Sequence, residues 1–448
     1  MRKYARHIIG EGKTARRRIE TAIMTVVVAL AMLVGIGQRV VDSHSNLGDA
    51  DHLAALSLIM SGVPHGALPV TFLDVDDKTR TAWGATGVTP HAALAALVNQ
   101  ASANGAAAIL VDFDLTQAAD KDFAALLQQY PAEAPDLMLV RNIRFTRTTG
   151  SGDSLLQPAS AKTTAYDGDV VGKSNIHWVT TLNDIGKDRA VRRIKLWQTV
   201  CEGAAGTAYP AAALVAAALP NHKASLAAFL KSRVDEECRN IIVPDLEWPP
   251  MRNAVAQLPF VFADTTATTS LFRIRANGRD TVALRRISAG MLVNYQNGVA
   301  EVAGEIDRDP FEARAVIVGA SYSDNDDVYE TPFGSMPGAL VLANSVIQAR
   351  NIVETKPASP WIKNTLAMVL FLVLVFIART FNGAVAVILL GIVALATLLM
   401  ISRAFGFASG IDVIAVAVPG FALFKLIDSA ILIAMNVPKQ GWRAILKS

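Results

Sequence analysis

Apolar positions in this chain follow two different rhythms. From Thr21 to Gln38 (TAIMTVVVALAMLVGIGQ) no charge interrupts the run, and about 18 apolar residues are just enough for a helix to cross a bilayer core. Three more long apolar runs come late: Trp361 to Ile377, Phe381 to Ile401, and one from about Ile411 through Pro419 to Asn436. Between them the rhythm shortens to β-branched blocks alternating with Ala/Leu-rich blocks of helical length. LPVTFLDVDD (68–77) reads as a strand and TPHAALAALVNQASANGA (89–106) as a helix, with Thr89 as N-cap and Pro90 in its first turn. AAILVDFDL (107–115) is a second strand and DKDFAALLQQY (120–130) a second helix. ARAVIVGAS (313–321) is a later strand, followed by a helix over PGALVLANSVIQARN (337–351). Strands apolar at nearly every position are buried on both faces, which predicts an α/β domain with a parallel or mixed sheet. The stretch from 235 to 300, with VPDLEWPP at 243–250, reads as loops and edge strands of the same domain.

Charge orients this plan. Seven Lys or Arg lie in the first eighteen residues, and Lys439, Arg443 and Lys447 follow the last run. Four spans put both ends on one side, and the positive-inside rule makes that side the cytoplasm. The expected organisation is a basic tail (1–20), an anchor helix (21–40), an extracytoplasmic α/β domain (41–360), three transmembrane helices (361–436) and a cytoplasmic tail (437–448). The setting is a multi-pass protein of a bacterial inner membrane. An apolar run this long, with no small-residue cleavage site after it, favours an uncleaved anchor over a signal peptide.

Composition agrees: 52% of residues are hydrophobic and 18% charged. The net charge of +3 comes without a long basic stripe, which argues against a nucleic-acid partner. Cys201 and Cys238, the only two cysteines, fall in the outer domain, where a disulfide and a pair of buried thiols are both open readings. Lys425 and Asp428, three apart in the last apolar run, either pair within the membrane or leave Lys425 to snorkel to the headgroups.

Phosphate loops, zinc-protease motifs, nucleophile elbows and C-x-x-C pairs are all missing from the sequence. Aspartate recurs instead at strand ends: Asp74 and Asp76 close the first strand, Asp112 and Asp114 the second, and Asp324, Asp326 and Asp327 follow the strand ending at Ser321. Parallel strands deliver their carboxyl ends to one edge, where ligands bind. Alternation puts Asp74 with Asp76, and Asp112 with Asp114, on a shared face. Such a set suits a hard divalent cation, held by Asp74, Asp76, Asp112 and Asp114, or a cationic or polyhydroxylated ligand. Capping of turns and helices is the alternative use of the same residues.

The residues around these aspartates resemble the CHASE2 family of extracytoplasmic sensor domains. LPVTFLDVDDKTRTAWG and TPHAALAALVNQASANGAAAILVDFDL are similar to its opening. GKSNIHWVTTLNDIGKDRAVRRIKLW (172–197) is similar to a strand pair with a Val-Arg-Arg step. RAVIVGASYSDNDDVYETPFGSMPGALVLAN (314–344) is similar to its late signature. Where the late motif commonly carries His before an Ala-Asn pair, this chain has Leu342; Trp83-Gly84 and Thr89-Pro90-His91 replace a Trp-Pro-Pro-Arg-like step. The resemblance spans about residues 25 to 436. The candidate ligand contacts are then the strand-end aspartates, Asp326 and Asp327 included, with Asn344 of the late signature.

The function this implies is a non-enzymatic membrane sensor that binds a ligand or partner outside and relays that state inward. CHASE2 proteins usually continue past the last helix into a cytoplasmic output domain. This sequence stops at Ser448, which implies a protein partner supplying the output, beside membrane lipid and further copies of the chain. A structural subunit of a secretion or polysaccharide-export complex is the second reading, and a metal-dependent extracytoplasmic enzyme the third.

Overall fold

The computed structural model describes residues 68–85, 87–116, 120–145, 159–185, 190–202, 205–219, 223–230, 233–234, 241–242, 255–257, 273–276, 279–304, 308–323, 327–331, 334–349, 359–381, 383–405, 413–414, 416–418 and 420–422. The predicted anchor helix, both tails, Asp324, Asp326, Cys238, Lys425 and Asp428 lie outside these residues. The chain divides into two compact units, one over Gly48–Thr355 and one combining Met1–Leu47 with Lys356–Ser448.

The first unit is an α/β domain. Along the chain its main elements are β1 (Val70–Val75), α1 (Asp77–Ala82), α2 (His91–Ala103), β2 (Ala108–Val111), α3 (Lys121–Gln129), β3 (Asp136–Val140), β4 (Ile176–Val179), α4 (Ala212–Ala218), α5 (Lys223–Leu230), β5 (Leu284–Ser288), β6 (Ala315–Ala320) and α6 (Gly338–Ile347). The six strands form one sheet in the order β5-β1-β6-β2-β3-β4, with every neighbouring pair parallel. The expected parallel or mixed sheet is therefore wholly parallel. Alternate side chains enter two separate cores. Val70, Phe72, Ala108, Leu110 and Ile317 pack with α4 and α6 on one face. Leu73, Val75, Ile109, Val111, Val316 and Val318 pack with α2 and α3 on the other. Burial on both faces explains why these strands read as continuous apolar runs.

Helix starts follow local chemistry. Asp120 caps α3, accepting from Asp122 N at 2.9 Å and Phe123 N at 3.0 Å. Helix α2 departs from its predicted start: its N-cap residue is Pro90, with no side-chain cap bond, rather than Thr89. Proline at that position has no N–H to leave unsatisfied, so the helix forms without the Thr89 hydroxyl. Within 235–300, Leu284–Ser288 supplies edge strand β5 of the main sheet.

The second unit contains α7 (Pro360–Thr380) and α8 (Gly383–Phe405). Ser359 caps α7 through Ile362 N at 3.3 Å, and Pro360 opens its first turn. Ala367, Leu370 and Leu374 of α7 pack with Ile401, Val413, Ala417 and Phe421, while Leu372, Phe376, Ile388 and Met400 stay exposed. Among the described residues one helical segment, Pro360–Ala378 with mean hydropathy 2.2, is long and apolar enough to cross a membrane.

Candidate functional site

Strand register brings the predicted aspartates to one edge of the sheet and then separates their side chains. Asp74 of β1 stands beside Gly319 of β6. Val111 pairs with Val318, so Asp112 stands beside Gly319 on its other flank, with its N–H on Val318 O at 2.8 Å. Asp74 and Asp112 thus sit two strand spacings apart, roughly 9–10 Å between backbones. Gly319 leaves the room between them: a Cβ there would lie 2.7 Å from Ala339 Cβ, 3.2 Å from Phe72 Cε2 and 3.7 Å from Asp112 Cβ.

Asp74 faces toward β5. Its Oδ2 accepts from Arg286 Nε at 2.7 Å and from Ser321 Oγ at 2.9 Å, and Arg286 Nη2 also reaches Ser321 Oγ at 2.7 Å. The second carboxylate oxygen is buried without a hydrogen bond. Burial pushes the Asp74 carboxyl up, and the Arg286 charge and Ser321 bond offset only part of that rise. Asp76 has a different task, capping α1 by accepting from Thr79 N at 2.7 Å. Burial acts to raise it as well, but the bonds from Thr79 and Ser288 and the Arg286 charge bring it below the usual carboxylate range. Asp114 holds a turn through Thr116 N at 3.0 Å, with Lys162 Nζ 4.0 Å away and Asn142 Nδ2 3.4 Å away. Turn and helix capping thus account for Asp76 and Asp114.

Asp112 and Asp327 meet in a cleft. Its lining includes Thr180, Asn183 and Lys195, together with Tyr329, Gly338 and Ser345. The cleft leaves about 20 Å³ in which the centre of a water-sized group can sit, and it opens to solvent. Part of Asp112 still meets solvent, yet dense packing and the nearby Asp327 charge push its carboxyl up to about 7. Burial also raises Asp327, against a bond from Tyr329 that favours its ionised form. The Tyr329 phenol is pushed up by burial and by Asp327, and it also bonds Asn183. Lys195 is buried and donates to Gln198 Oε1 at 3.3 Å.

The sheet and α6 hold these groups in place. Asp112 leaves β2 at its carboxyl end, and Thr180 leaves β4 at the same edge. Asp327 is fixed where α6 begins, its carbonyl accepting from Gly338 N at 2.7 Å. A side chain at Gly338 would overlap the Asp327 carboxylate, so the glycine lets the acid lie against the helix start.

Asn344 lies inside α6, fully buried, with its Nδ2 on Leu340 O at 3.2 Å and 3.7 Å from Met336 Sδ. These two partners, Leu340 and Met336, are not among the residues that line the cleft. Among the described residues, no three His, Cys, Asp or Glu side chains gather closely enough to hold a metal ion. Cys201 is disulfide-bonded on strand Trp197–Glu202 of a hairpin. The sequence reading missed Arg286, Lys195, Thr180 and Tyr329. Arg286 carried no clear signal, since Arg285 and Ser288 beside it make LRRIS read as a solvated edge strand. Thr180, Lys195 and Tyr329 lie within segments that resemble the family, yet nothing local in those segments shows that they meet in one cleft, which forms from positions far apart along the chain.

A model of the CHASE2 domain matches residues 23–379. No curated protein and no solved structure matches the chain.

Proposed function

The chain belongs to the CHASE2 domain family of extracytoplasmic sensors, and from that premise we propose a non-enzymatic, membrane-anchored sensor that reads a small polar ligand in the Asp112–Asp327 cleft. The observation carrying this reading is the cleft itself: two carboxylates held together at the carboxyl edge of a parallel sheet, where α/β domains bind ligands. Keeping two acids close in a half-buried site costs stability, a cost expected at functional sites more than at neutral surface.

The relay follows from the chain's order. Helix α6 ends the domain, and the apolar segment 360–378 follows soon after. A ligand that neutralises Asp327 at the start of α6 acts on the element nearest in sequence to that segment. In this proposal the spans at 21–40 and 361–436 anchor the chain in a bacterial inner membrane with both termini cytoplasmic, and a protein partner receives the signal. Accessibility reporters test the arrangement. One inserted near Gly150 is expected outside and one after Ser448 in the cytoplasm; the opposite labelling removes the extracytoplasmic sensor reading.

A further inference from the structure

We propose that the cleft takes the primary ammonium group of a small amine, a proposal that rests on the cleft being the ligand site. Its lining carries Asp112 and Asp327 against Lys195, so it is one negative charge in excess when all three are ionised. Thr180, which also lines the cleft, is fully buried and its hydroxyl oxygen has no hydrogen-bond partner. A buried hydroxyl left unmatched costs stability that a bound donor would recover.

Shape and ligand number narrow the choice. The space in the cleft open to the centre of a water-sized group, about 20 Å³, holds about one such group. A calcium ion takes about six to eight oxygens, and magnesium takes about six in a strict octahedron. Two carboxylates and a hydroxyl would leave several positions of either set to water, and the cleft has little room for it. An ammonium carries three donors and no acceptor. Three acceptors, Asp112, Asp327 and Thr180 Oγ1, meet that need. Its charge also relieves the repulsion between the two acids, so bound amine and bound proton compete for the same site.

The test uses the full chain in phosphatidylcholine nanodiscs at pH 8, titrated calorimetrically with ethanolamine. Ethylene glycol, acetate, magnesium chloride and calcium chloride serve as comparison probes. Saturable ethanolamine binding is expected, weakened at least about tenfold by Asp112→Asn or Asp327→Asn and roughly threefold by Thr180→Val. Thr180→Ser keeps the hydroxyl and is expected to bind like the wild type, which separates loss of the acceptor from misfolding. Ethylene glycol binding as tightly, with the same sensitivity to the variants, overturns the amine class while leaving the cleft reading intact. So does magnesium or calcium binding that excludes ethanolamine. Ethanolamine binding that none of the three variants changes removes the cleft as the ligand site. Absence of saturable ethanolamine binding overturns the amine proposal outright.

Discussion

Arg286 and Asp74 are joined across neighbouring parallel strands, with Nε 2.7 Å from Oδ2 and the Asp74 side chain only 2% exposed. An arginine on an edge strand thus neutralises an acid buried beside the sheet's centre. Removing the arginine alone leaves a buried charge without its partner. Arg286→Met is therefore expected to destabilise the domain by about 3 kcal/mol, whereas Arg286→Met combined with Asp74→Asn recovers most of that loss. Denaturant unfolding of the two variants checks this. Equal stability of the wild type, the single and the double would mean the pair contributes only a solvated contact.

Gly319 separates the two acidic environments and lets α6 pack against the sheet. A methyl group there meets Ala339 Cβ at 2.7 Å, in a core whose strand and helix backbones cannot easily retreat. Gly319→Ala is expected to cost about 1–3 kcal/mol through overpacking. Gly319→Ala with Ala339→Gly should recover part of it, measured as a rise in melting temperature over the single variant.

How far sequence revealed this arrangement depends on distance along the chain. Strands β1, β2 and β6 were legible because their apolar runs are bounded by Asp and Gly, and α3 because Asp120 precedes a 3.6-residue pattern. Their order in the sheet was not legible: β6, the last of its six strands along the chain, inserts between β1 and β2. Strand ends identified both Asp112 and Asp327 as candidates. Pattern alone could not show that Asp112 turns toward Asp327 while Asp74 turns toward Arg286. Register and the packing of α6 decide that, and both depend on contacts more than 200 residues apart.

The disulfide of Cys201 leads to a separate expectation. Its hairpin, Trp197–Glu202 with Ala205–Pro210, lies beside Val234, whose Cβ is 2.6 Å from where a Gly206 side chain would start. Val234 is four residues before Cys238. Proteolysis without reduction is expected to yield a linked peptide pair containing Cys201 and Cys238. Reduction should lower the melting temperature, by an amount corresponding to about 4 kcal/mol of unfolded-state chain entropy for a loop of this length. Unlinked peptides from protein exported to an oxidising compartment would contradict this pairing.

The account turns on Asp112 sharing a cleft with Asp327, and the proton on Asp112 reports it. With its carboxyl raised to about 7, the folded chain keeps a proton that the unfolded chain loses near its ordinary value of 3.8. Folded protein therefore binds more protons between those values, and this group's contribution to stability falls as pH rises through the window and is level above it. Asp112→Asn should accordingly gain on the wild type from pH 4 to 7, by on the order of 2 kcal/mol, since solvent at the rim trims the full linkage value. The most direct measurement is the carboxyl ¹³C titration of Asp112 in the full chain, with and without Asp327→Asn. The cleft predicts a midpoint near 7 that drops when Asp327 loses its charge. A midpoint near 4 that ignores the Asp327 substitution would contradict it.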